Sequence, residues 1–196
     1  MEEKDLFAER GRSLEEEYFR KREKELIEKM RQHAEAGAER RRLGEQAGVA
    51  DEEILQDLQA LGYTPETVTL LHVVPLVQMA WAEGDVSDRE RDLIQEAARA
   101  RGIAAGSAAD QQLSNWLARR PSDDFFEKTL RAIGAVLEAQ PAETRAASQK
   151  DLLSYCTAIA SASGGILGFR TVSDQERQLL SRISQEFEKS HGPRRP

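Results

Sequence analysis

A chain of 196 residues, 39% hydrophobic and 32% charged, has room for one ordinary domain and an appendage, and it sits on the polar side of globular composition. Its formal net charge of −7 gives no overall electrostatic case for nucleic acid. Few aromatic residues and abundant Ala, Glu, Arg and Leu favour an all-α fold over a sheet.

The charge is unevenly spread. Residues 1–43 are dense in both signs and balanced, so the remainder carries the whole negative excess. Such a segment reads as a solvated helix supported by i,i+4 pairs such as Glu17/Lys21 and Glu25/Lys29, each worth ~0.2–0.5 kcal/mol. Helix formers run from Glu2 to about Ala36. The sparse apolar residues Phe7, Leu14, Tyr18 and Met30 follow one drifting stripe, too thin for a core helix. Residues 37–50, with Gly37, Arg40-Arg41-Arg42, Gly44 and Gly48, read as the boundary between an appendage (1–43) and a body (50–190).

The body reads as a series of capped helices. Asp51 opens a short helix ending near Gly62. Thr64-Pro65 opens one running to about Ala82, with Pro75 as a kink or break. Ser87 and Glu90 form a capping box before a helix that ends at Gly102. Ser107, Ser122 and Pro141 open the next three helices, and Ser173 with Glu176 forms a second capping box. Trp81 and Trp116 are expected core anchors. Ile166, Leu167 and Phe169 of the glycine-rich insertion 164–170 are expected to tuck into the core, and residues 191–196 form a frayed tail.

The stretch Val68–Ala82 is interrupted by His72, Pro75 and Gln78, so it reads as a core helix, not a membrane span. No apolar signal core follows Met1-Glu-Glu-Lys, and the lone Cys156 lies in an apolar helical pattern, which fits a reducing, cytoplasmic setting. The three histidines, His33, His72 and His191, are scattered. No nucleophile, base and orienter can be assembled, which points away from an enzyme.

Two places in the body look alike. Val86-Ser87-Asp88-Arg89-Glu90-Arg91 matches Val172-Ser173-Asp174-Gln175-Glu176-Arg177 at five of six positions, and each follows an apolar helix rich in small residues. The stretch Ala80-Trp81-Ala82-Glu83-Gly84-Asp85-Val86-Ser87-Asp88-Arg89-Glu90 resembles the signature of the tellurite-resistance TerB family. The resemblance spans roughly residues 64–189. It implies two pseudo-symmetric helix-turn-helix halves, a non-catalytic role in protein interaction or stress response, and an acidic cluster suggested to bind metal.

Two readings of the acidic turn follow. As a divalent-metal site it would use Glu83, Asp85 and Glu90. Aligned with a calcium loop, however, positions 1 and 3 fall on Met79 and Trp81, and the second half offers Ser163 where the first has Glu83. As a structural turn it needs only the two capping boxes. A further resemblance lies upstream: Glu15-Glu16-Glu17-Tyr18-Phe19-Arg20, with Gly11 and Arg12 before it, is similar to the helix of the F-type ATPase inhibitor protein. It implies a helical regulator that docks Tyr18, Phe19 and Arg22 into a groove of a partner ATPase. The plainer reading of the same helix, and the preferred one, is that it docks on its own body or on a second copy of the chain; no other cofactor is expected.

Overall fold

The computed structural model describes residues 2–162 and 172–189, with side chains described for 18–162 and 172–187; the insertion 164–170 and the tail 191–196 lie outside the described residues, as do Phe7, Leu14 and Glu17 as side chains. Every regular element among the described residues is helical. The chain divides into two compact units, Met1–Arg41 and Arg42–Pro196.

The first helix, α1 (Glu2–Ala47), does not stop near Ala36. One glycine inside a helix costs only ~1 kcal/mol, and the Ala, Glu and Arg around Gly37 outweigh it. The helix ends instead at Gly48, whose φ of +68° is the left-handed conformation that glycine tolerates. The Val49 N–H then donates to the Gly44 carbonyl at 2.9 Å, closing a Schellman motif. Gly44 is required for a different reason: a Cβ there would lie 2.6 Å from the Val49 carbonyl oxygen. Leu43 and Val49, at this end of α1, are buried in the core of the second unit.

In that unit the serine and aspartate caps work as predicted. α2 (Glu52–Ala60) is capped by Asp51, which accepts from the Glu53 and Ile54 N–H groups. α4 (Asp88–Ala100), α5 (Ala108–Ala118) and α6 (Asp123–Glu138) start behind Ser87, Ser107 and Ser122, each serine hydroxyl accepting an N–H three residues on. The predicted ends at Gly62 and Gly102 are Schellman turns, with Tyr63 and Ile103 bonding back to Leu58 and Ala98 and folding into the core.

The predicted helix over 64–82 is in fact three pieces: a 3₁₀ turn Val68–His72, α3 (Val74–Ala80), and a 3₁₀ turn Trp81–Glu83. Thr67 accepts the Thr64 N–H through its hydroxyl, and this local turn displaces a helical start at Pro65. Pro75 lacks the N–H that a continuous helix would use, so the chain restarts there, with proline in the first turn of α3.

α3 is buried on every side. It packs against α7 (Ala142–Ala162), α6, α4 and α8 (Asp174–Lys189), which makes it the axis of the unit. α4 also rests on α7, and α8 on the Trp81–Glu83 turn. α6 directs Phe126, Leu130, Ile133 and Leu137 inward at helical spacing. Trp116 is buried. Trp81 is not the core anchor predicted from its sequence: it is half-buried at the core's edge, where its indole N–H donates to the Trp116 carbonyl at 2.8 Å. A ring with one polar atom settles where that atom finds a partner.

Candidate functional site

The acidic turn is the first place to look for chemistry. α3 runs into the Trp81–Glu83 turn. Gly84, at φ +102°, reverses the chain, and Ser87 starts α4. Glu90 is only 3% exposed, and its carboxylate accepts from both the N–H (2.8 Å) and the hydroxyl (2.7 Å) of Ser87. The second copy of the motif has the same local geometry. Glu176 is 2% exposed and accepts the Ser173 N–H at 2.7 Å, and the Ser173 hydroxyl accepts the Glu176 N–H at 3.2 Å. Glu83 and Asp85 lie exposed in solvent. The structure therefore does not bring Glu83, Asp85 and Glu90 together, and no three His, Cys, Asp or Glu side chains among the described residues form a group able to hold a metal. A hard cation needs several oxygens converging on one point, and Glu90 is turned back onto its own helix.

The remaining reactive groups are dispersed. Burial pushes the Cys156 thiol up to about 12, so at neutral pH it is an inert thiol packed in the core. Burial, and then the charge of Arg101, holds the half-buried His72 below the usual imidazole range. Arg101 lies over the ring of Tyr155 at 4.3 Å. Two open grooves meet at Phe125. One of about 500 Å3 is lined by Trp116, Arg119, Arg120 and Pro121, the other of about 550 Å3 by Asp57, Leu61, Lys128 and Arg131. Neither gathers a nucleophile with a base.

The sequence-predicted partner residues fare differently. Tyr18 and Phe19 are exposed, at 57% and 66%, and their rings meet edge to face at 6.0 Å. The Arg22 Nε donates to the Tyr18 hydroxyl at 3.2 Å, with the guanidinium 5.8 Å from the ring centre. Leu26, Ile27 and Met30 are exposed on the same helix. The sequence reading placed Met30 on a stripe with Phe7, Leu14 and Tyr18 and assigned Leu26 and Ile27 to no face. Their signal was the i, i+7, i+11 spacing of Phe19, Leu26 and Met30, which places them on one face. Among the described residues no helix is long and apolar enough to cross a membrane. Comparison of the chain with protein-family models, curated proteins and solved structures finds no match.

Proposed function

We propose that the chain is a non-catalytic, TerB-like interaction module of the cytoplasm: a helical body built from two capped hairpins, carrying α1 as its docking element. One observation carries this reading. Of the six large hydrophobic side chains that are exposed among the described residues, five (Tyr18, Phe19, Leu26, Ile27 and Met30) lie within thirteen residues of α1. The packing of α3 on α7, and the matching capping boxes at Ser87 and Ser173, support the two-half arrangement. A role in stress response rests on the family resemblance alone.

The test compares capture of partners from lysate by the full chain, by residues 42–196, and by a Phe19→Asp, Leu26→Asp double variant. Both altered forms are expected to lose the same partners while keeping a cooperative melt. Equal capture by all three would remove α1 as the docking element.

A further inference from the structure

We infer that residues 18–31 of α1 form an interfacial helix that lies on an anionic lipid surface. The inference rests on the preceding reading of this face as a docking surface and names its occupant. Turning by roughly 100° per residue, the helix gathers Leu26, Phe19, Met30 and Ile27 into an apolar arc about 100° wide. Basic side chains border that arc on both sides. Arg22 and Lys29 stand on one edge, between the arc and Tyr18; Arg20, Arg31 and Lys24 stand on the other. Glu25, Glu28 and Lys21 fall on the opposite face. The acidic Glu23 is the one charge that falls within the arc.

This distribution is charge-complementary to a membrane of anionic headgroups. Apolar side chains enter the headgroup–acyl boundary, long basic side chains on both borders extend their stems and reach back to phosphate, and the acidic residues other than Glu23 face water. Over 18–31 there are six basic and three acidic side chains, on a chain whose overall charge is negative. Phe19 and Met30, the two ends of the arc along the helix, are 66% and 65% exposed. The arc alternates with charge along the sequence, so the helix lies in the interface and does not span it.

Co-sedimentation of the full-length protein with lipid vesicles tests this. Binding is expected to vesicles in which about a third of the phosphatidylcholine is replaced by phosphatidylserine, and not to phosphatidylcholine alone, and it should weaken with added salt. Arg22→Gln and Lys29→Gln should each weaken it by about fivefold. Phe19→Asp with Leu26→Asp should abolish it. Glu23→Leu should strengthen it, an effect that a merely structural role for residue 23 would not produce. Absence of vesicle binding, equal binding to neutral vesicles, or Glu23→Leu without effect overturns the lipid assignment. If vesicle binding is absent while lysate capture still depends on Phe19 and Leu26, only the lipid assignment falls; if capture is also indifferent to them, the docking reading falls with it.

Discussion

Phe126→Ala is expected to lower the free energy of unfolding by about 3–5 kcal/mol, a large share of the ~5–15 kcal/mol that holds a domain of this size together. Phe126 is fully buried on the inner face of α6. Its ring centre lies 5.9 Å from that of Phe125, and the Arg120 guanidinium sits 5.6 Å from it. Truncation removes the transfer free energy of the ring and leaves a cavity that α3, α7 and α8, all packed on α6, cannot easily close. Phe19→Ala removes an identical ring from an exposed position on α1 and is expected to change stability by no more than about 0.5 kcal/mol. Urea denaturation of the two variants, read at unchanged m-value, checks the contrast.

The second large effect concerns the two capping glutamates. Glu90→Ala and Glu176→Ala are each expected to cost about 1–2 kcal/mol, because each removes the buried carboxylate that accepts the N–H of the capping serine across a partly buried contact. Glu90→Gln keeps an acceptor at the same reach and is expected to cost less, since the capping box accepts either residue. Glu83→Ala and Asp85→Ala, on exposed side chains, should stay within about 0.5 kcal/mol. A metal site would give the reverse signature: Glu83, Asp85 and Glu90 would act as a unit, and their loss would matter only when calcium or another divalent cation is present. Thermal melts of the five single variants with and without millimolar calcium separate the two roles.

Much of the fold was legible where a single side chain acts on its own backbone. Asp51, Ser87, Ser107, Ser122 and Ser173 cap helices by bonding a backbone N–H within three residues, so the sequence alone locates them. Gly62 and Gly102 end helices for the same local reason, a positive φ. Outcomes decided by competition were harder to read. Thr64-Pro65 resembles a helix start, yet the Thr67 hydroxyl takes the Thr64 N–H first. Gly37 and Gly44 resemble a linker, yet the helix formers around them carry α1 to Ala47. Contacts distant in sequence left no mark: nothing in the local pattern announces that the Trp81 indole will seek the Trp116 carbonyl, 35 residues away. At the candidate site, Tyr18, Phe19 and Arg22 were readable as a motif. Met30 already shared a stripe with Tyr18, whereas Leu26 and Ile27 joined them only once the helical face was known to be exposed.

The division between a packed core and an exposed helix, on which the proposed docking role depends, is tested most directly by native-state amide hydrogen exchange on the intact protein. Amides of Val77–Ala80 in α3 and of Cys156–Ala160 in α7 are expected to exchange only through global unfolding, at one shared free energy. Those of residues 18–36 should open at no more than a few kcal/mol, as a solvated helix does. Protection over 18–36 equal to that of α3 would contradict it, because the apolar face of α1 would then be part of the folded core and not a surface kept open for a partner.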